Sequence, residues 1–187
     1  MNKIYYITGG ARSGKSGFAE NIAKGISEKV LYIATSEAFD KEMEERIKKH
    51  VRQRPESWKT VEIFSNFRSL EENIDFEEAD TLLFDCLSLM VNNHIYYANF
   101  DFENIDFNKL DDMEDKIEAE FLQLVELCKE KQKSLIIVTN EIGMGIVPNN
   151  PLSRSYRDML GRLNRKAQEV SDESYFLVSG VPLKLKG

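Results

Sequence analysis

The sequence predicts an α/β protein: a mostly parallel sheet with helices on both faces and a C-terminal strand pair at the edge. Three observations carry that prediction. Short β-branched or aromatic runs alternate with longer stretches whose apolar residues recur every three or four positions. The runs are apolar throughout, as in strands buried on both faces of a parallel sheet. A glycine-rich turn joins the first run to the first helical stretch.

Taken in order, residues 3–8 read as a buried strand that ends in glycines. Residues 16–29 read as a helix, with Phe18, Ile22 and Ile26 four apart on one face. A second strand spans residues 30–34, and residues 40–52 form a helical pattern marked by Met43, Ile47 and Val51. Residues 60–64 suit a strand and residues 67–73 a short helix; residues 81–84 make a third buried strand, closed by Asp85. Residues 86–98 look helical. Residues 99–112 alternate Phe with acids, lack a period, and read as a flexible acidic insertion. A long amphipathic helix is expected over 109–131, a strongly β-branched strand over 134–139, and a loop with two glycines and two prolines over 140–151. A helix over 154–170 and strands over 174–178 and 181–185 complete the chain.

With 187 residues and 21.6 kDa, the chain is expected to form a single nucleotide-binding domain, 1–187. Its net charge of −7 argues against general attachment to nucleic acid or anionic lipid, so any phosphate binding must be local. Cys86 and Cys128 are too few for a disulfide scaffold and sit in apolar stretches that suit buried thiols. The first residues turn glycine-rich too soon for a signal peptide, and no apolar run approaches the ~18 residues of a membrane span. The expected compartment is the reduced cytosol.

Gly9-Gly10-Ala11-Arg12-Ser13-Gly14-Lys15-Ser16 fits G-x-x-x-x-G-K-S, preceded by a strand and followed by a helix. Glycines let successive N–H groups converge on phosphate oxygens, and the helix N-terminus adds positive potential. Lys15 supplies a point charge for the outer phosphates and the Ser16 hydroxyl a ligand for Mg²⁺. Asp85, at the end of a neighbouring strand, suits the second metal role; it would also cap the helix that follows. The chain is therefore expected to bind a nucleoside triphosphate, ATP or GTP, with Mg²⁺.

Two strings resemble the guanine and switch motifs of GTPases, Asn108-Lys109-Leu110-Asp111 and Asp158-Met159-Leu160-Gly161. They occur in the wrong order and the wrong contexts. A small-molecule kinase or a nucleotidyltransferase remains. Of the two histidines, His94 fits helix packing or the surface. His50 lies among Arg46, Lys48, Lys49, Arg52, Arg54 and Lys59, a local reversal of sign. That cluster is either a solvated basic face or a polyphosphate site, where nearby cations keep an imidazole neutral and able to attack phosphorus.

The P-loop, together with Tyr32-Ile33-Ala34-Thr35-Ser36, the segment from Glu44 to Pro55, Trp58, Thr60-Val61-Glu62, the run Val138-Thr139-Asn140-Glu141-Ile142-Gly143-Met144-Gly145-Ile146-Val147-Pro148, and Arg157-Asp158 with Gly161-Arg162-Leu163-Asn164, resembles the bifunctional adenosylcobinamide kinase / adenosylcobinamide-phosphate guanylyltransferase family. The resemblance covers nearly the whole chain, weakest over 99–133. It implies a RecA-like P-loop fold, a homotrimer, and two reactions of cobalamin assembly. One phosphorylates adenosylcobinamide with ATP or GTP; the other transfers GMP from GTP to that phosphate. It puts the GMP-carrying histidine on His50. Nucleotide contacts fall on the P-loop, on Ala34, Thr35 and Ser36, on Val51, Arg52, Gln53 and Arg54, and on Glu62 and Asp85. Two positions depart from the family pattern: Asp85 stands where Glu is frequent, one methylene longer, and Arg165 where Gln is common.

On this reading Lys15, Ser16 and Mg²⁺ neutralise the triphosphate as pyrophosphate leaves, and Arg52 and Arg54 bind phosphate bidentately. Glu62 is either a guanine reader or a ribose contact. The 140–151 loop is either a lid facing the corrinoid or packing between subunits, and Arg154, Arg157 and Arg162 either face substrate phosphate or are solvated. Two rivals stand beside it: a monofunctional P-loop kinase, and a non-catalytic nucleotide-binding module.

Overall fold

The computed structural model describes residues 2–36 and 54–187. Its centre is a seven-stranded sheet of β1 (Ile4–Gly9), β2 (Val30–Ala34), β3 (Lys59–Glu62), β4 (Thr81–Asp85), β5 (Ser134–Val138), β6 (Glu173–Val178) and β7 (Val181–Lys186). The spatial order is β3-β2-β4-β5-β1-β6-β7; every neighbouring pair is parallel except β6–β7. That antiparallel hairpin is the expected C-terminal strand pair at the edge. The β2, β4 and β5 strands have no polar face because both of their faces are covered.

Among the described residues the two faces are covered unequally. On one lie α1 (Lys15–Ile26) and the loop carrying Trp58, packed on Ile7, Tyr32, Leu83 and Ile136. On the other lie the 3₁₀ turn Phe67–Glu72 and four helices: α2 (Ile74–Glu78), α3 (Leu87–Tyr97), α4 (Phe107–Glu130) and α5 (Pro151–Val170), on Ile4, Tyr6, Leu31, Ile33, Leu82 and Phe84. The helix expected over 40–52, which carries His50, lies outside the described residues.

Three local readings shift. In α1 the inward face is Ala19 and Ala23, with Phe18 and Ile22 at its flanks, and Ile26 is exposed. Alanines let the helix lie close beneath the strands that feed the P-loop, a fit that a count of large apolar residues does not reveal. The irregular stretch after α3 ends at residue 106, because Asp106 caps α4 by accepting from the N–H groups of Asn108 and Lys109. The α5 helix starts at Pro151, capped by Asn150, three residues before the expected Arg154. Both GTPase-like strings therefore lie inside helices, Asn108–Asp111 in α4 and Asp158–Gly161 in α5.

The register brings the C-terminal ends of the central strands together. Asp85 lies opposite Ala34 on one side and Val138 on the other, and Val138 opposite Ile7. Open parallel sheets bind their ligands at this edge.

Candidate active site

The loop between β1 and α1 curls as the glycine pattern requires. Gly9 has φ +152°, Arg12 φ 57° and Gly14, which caps α1, φ 95°. Gly9 permits a close approach: a Cβ there would sit 2.5 Å from the Leu177 carbonyl oxygen and 2.9 Å from Ser13 Oγ. The loop is tied to its surroundings by backbone bonds, Gly180 N–H to Ser13 O at 2.9 Å and Glu141 N–H to Gly9 O at 2.9 Å.

Lys15 lies inside this curl, 8% exposed, its Nζ donating to Gly10 O at 2.7 Å, and burial draws its pKa down. The buried Ser13 Oγ has no hydrogen-bond partner among the described residues. A cation and an unmatched hydroxyl in one backbone cradle suit phosphate oxygens.

Ser16 Oγ donates to Asp85 Oδ2 at 3.1 Å, so the first turn of α1 meets the end of β4. The same carboxylate oxygen accepts from Tyr32 OH at 2.5 Å. Burial and the neighbouring Asp85 carboxylate push the Tyr32 phenol far up, so it stays a neutral donor. The Arg54 guanidinium lies 3.2 Å above the centre of the Tyr32 ring, a cation–π contact. Arg54, on the segment that follows His50, is thereby joined through Tyr32 to the carboxylate beside the P-loop. Among the described residues no group of three or more His, Cys, Asp or Glu could hold a metal ion alone. Ser16 and Asp85 offer hard oxygens that suit Mg²⁺ when phosphate completes its shell.

Thr35 is 1% exposed, and its hydroxyl is turned to the Cys86 peptide: Oγ1 donates to Cys86 O and accepts from Cys86 N–H, each at 2.8 Å. Its side chain thus fixes the residue that follows Asp85. Ala34 lies opposite Glu62 in the β2–β3 register, and the two line, with Thr35 and Ser36, a cavity of about 290 Å³ that continues to Phe64 and Ser65. Phe64 stacks on Tyr97 and meets His94 edge-on; burial lowers the His94 pKa, so this imidazole packs. His50, Val51, Arg52 and Gln53 lie outside the described residues.

Sequence spacing gave no sign of Tyr32 as a partner of Asp85, nor of the polar group beneath the 140–150 loop. There Asn140 Nδ2 donates to Ser88 Oγ at 2.8 Å, Asn164 Nδ2 to Asn140 O at 3.1 Å, and Thr139 Oγ1 to Asn164 Oδ1 at 2.8 Å. These contacts join β5, α3 and α5, and only the fold brings them together.

A strand, a phosphate-cradling turn, a lysine and hydroxyl opening a helix, and a carboxylate at the end of β4, which β5 separates from β1, define a P-loop nucleotide-binding protein. The KaiC-like protein PH0186 from Pyrococcus horikoshii OT3 shares this fold at TM-score 0.50 and 14% identity, over 93% of this chain and 70% of that one. The family described as cobinamide kinase / cobinamide phosphate guanyltransferase matches residues 5–185, and the chain belongs to it. Its relatives include the bifunctional adenosylcobalamin biosynthesis protein CobU of Escherichia coli K12, 41% identical over 96% of this chain and 98% of that protein. The bifunctional adenosylcobalamin biosynthesis protein CobP of Pseudomonas aeruginosa is 37% identical over 97% of this chain and 96% of its own length.

Proposed function

We propose that this chain is a bifunctional enzyme of cobalamin biosynthesis, phosphorylating adenosylcobinamide with ATP or GTP and transferring GMP from GTP to that phosphate. The P-loop cradle, with Lys15 on the Gly10 carbonyl and Ser16 on Asp85, carries the reading; family membership supplies the substrates. In the first reaction the acceptor hydroxyl oxygen bonds the γ-phosphorus, the bond to the bridging β–γ oxygen breaks, and nucleoside diphosphate leaves; the hydroxyl proton passes to water. In the second, an imidazole nitrogen of His50 bonds the α-phosphorus of GTP and pyrophosphate leaves. A phosphate oxygen of the acceptor then takes the guanylyl group and frees the imidazole.

Lys15 and the loop N–H groups hold the phosphates in both steps, and Arg54, four residues after His50 in the sequence, adds a cation over Tyr32. Ser16 and Asp85 would hold Mg²⁺, which would neutralise charge on the triphosphate. Glu62, which lines the cavity beside Ala34, accepts from the guanine base or contacts the ribose. The working form is a homotrimer; the exposed Val178, Val181, Leu183 and Leu185 of the β6–β7 hairpin support self-association. Two free, buried thiols, Cys86 and Cys128, support work in a reducing cytosol, and no helix among the described residues is long and apolar enough to cross a membrane.

Incubation with GTP labelled in the α-phosphate tests the reading. An acid-labile, base-stable label on the protein is expected, absent in His50→Asn. Turnover to adenosylcobinamide-GDP without any label would remove the covalent step, and phosphorylation alone would leave only a kinase.

Tyr32→Phe keeps the ring under Arg54 and removes the hydroxyl from Asp85. Groups that orient a metal ligand are worth about 10–100-fold in metal affinity. Binding of a fluorescent GTP analogue is therefore expected to weaken about tenfold in Mg²⁺ and to stay unchanged in EDTA. Equal behaviour of variant and wild type in Mg²⁺ would reduce Tyr32 to packing.

A further inference from the structure

The loop of residues 140–150 is braced at both ends. At its start Glu141 N–H reaches Gly9 O, Asn140 is held by Ser88 and Asn164, and Glu141 Oε1 accepts from Gly143 N–H at 2.6 Å. At its end Arg154 donates to the carbonyls of Pro148 and Asn149, at 3.1 and 2.6 Å, and Asn150 caps α5. Between these braces the loop presents bare apolar side chains to solvent: Met144 is 79% exposed and Ile146 96%. Holding an isoleucine that far into water is unfavourable unless something apolar covers it.

An open surface cleft of about 460 Å³ lies between this loop and α5, with Gly143, Gly145 and Val147 on one side, Arg157, Gly161 and Arg165 on the other, and the Asp158 carboxylate at its edge. The three helix residues stand at i, i+4 and i+8, so they share one face, with roughly 12 Å between the outer Cα atoms. Gly161 leaves the floor open, since a Cβ there would meet nothing within 4 Å. Of the arginines around the cavity, Arg162 is engaged by both carboxylate oxygens of Glu114. Arg157 pairs sideways with Asp158 at 3.3 Å, and Arg165 with Glu169 at 3.7 Å, both exposed carboxylates. Residues 140–166 hold five basic and two acidic side chains in a chain of net charge −7.

We propose that this surface is the acceptor site, where the corrin ring of cobinamide covers Met144 and Ile146 and its phosphate lies on Arg157 and Arg165. The inference rests on the function proposed above and places that function's second substrate. Transfer requires the acceptor oxygen at a phosphorus held by the P-loop, so its site must adjoin the loop. The Glu141–Gly9 bond ties the start of the 140–150 loop to the P-loop, two residues before Gly143 in the cavity lining. A corrinoid suits it, being broad and apolar on its faces, rimmed with amides, and anionic once phosphorylated. The anion explains arginines whose carboxylate partners among the described residues are solvated.

Three full-length variants test the site, with cobinamide and cobinamide phosphate as probes. Ile146→Asp is expected to raise KM for cobinamide at least tenfold, with the Kd for GTP within twofold of wild type. Arg157→Gln should raise KM for cobinamide phosphate at least tenfold and KM for cobinamide less than threefold. Gly161→Leu should fill the cavity and raise both, at a melting temperature no lower than wild type. Unchanged corrinoid KM in all three variants overturns the proposal. So does a lower mass of Ile146→Asp in sedimentation, since the loop would then cover a second copy. Loss of corrinoid turnover in the wild type would instead defeat the function itself.

Discussion

Lys15→Ala is expected to lower kcat/KM about 10²–10³-fold for phosphorylation of cobinamide and for guanylyl transfer alike. The size follows from where the ammonium lies. It is enclosed by the loop that it serves, 2.7 Å from Gly10 O, in a site where water does little to screen it. Both reactions draw on the same triphosphate cradle, so one deletion should damage both. Initial rates with ATP and cobinamide, and with GTP and cobinamide phosphate, measure the two losses separately. Circular dichroism should be unchanged, because the bond that the Lys15 ammonium makes is to the loop carbonyl of Gly10 and not to a strand. Wild-type phosphorylation in this variant would show that the cradle is not where phosphate transfer occurs.

Gly9→Ala should have the largest effect on stability. The new methyl would stand 2.5 Å from the Leu177 carbonyl, on a backbone with φ +152°. Relief requires β1 and β6 to part where Gly9 and Leu177 pair, so the strain cannot be relaxed by turning a side chain. Clash and backbone strain together cost about 2–4 kcal/mol. At about 2–4 °C per kcal/mol for a chain of this size, that is a fall of roughly 4–16 °C in melting temperature. Gly10→Ala supplies the control, since its Cβ meets nothing within 4 Å. It should melt within about 2 °C of wild type. Equal melting of the two variants would mean that the loop is not held against β6.

The strands and the P-loop were legible because their signals are local. Apolar runs, glycine spacing and a lysine-serine pair need no knowledge of the fold, and Asp85 could be read from its place after Thr81-Leu82-Leu83-Phe84. The signals that misled were those of size. Phe18, Ile22 and Ile26 look like the buried face of α1, yet Ala19 and Ala23 lie against the sheet because the helix sits close to it. Helix starts were read late where the cap is an Asn or Asp in a polar stretch, as at Asn150 and Asp106. Tyr32 was invisible as a site residue: its side chain reads as one more strand aromatic until β4 places Asp85 beside it. The Asn140–Ser88–Asn164 group was hidden for the same reason, since its members are far apart along the chain.

The last strand has a further consequence. Strand β7 leaves one flank of the sheet with unpaired backbone groups, a template on which strands of other molecules can stack without limit. Here the flank ends in lysines that are tethered inward: Lys186 reaches the Ser171 carbonyl at 2.5 Å and Lys184 pairs with Glu173 at 3.4 Å. Their charge resists open-ended growth while the apolar side chains of the hairpin still invite neighbours. Each molecule thereby carries its own guard against edge-to-edge stacking at this flank.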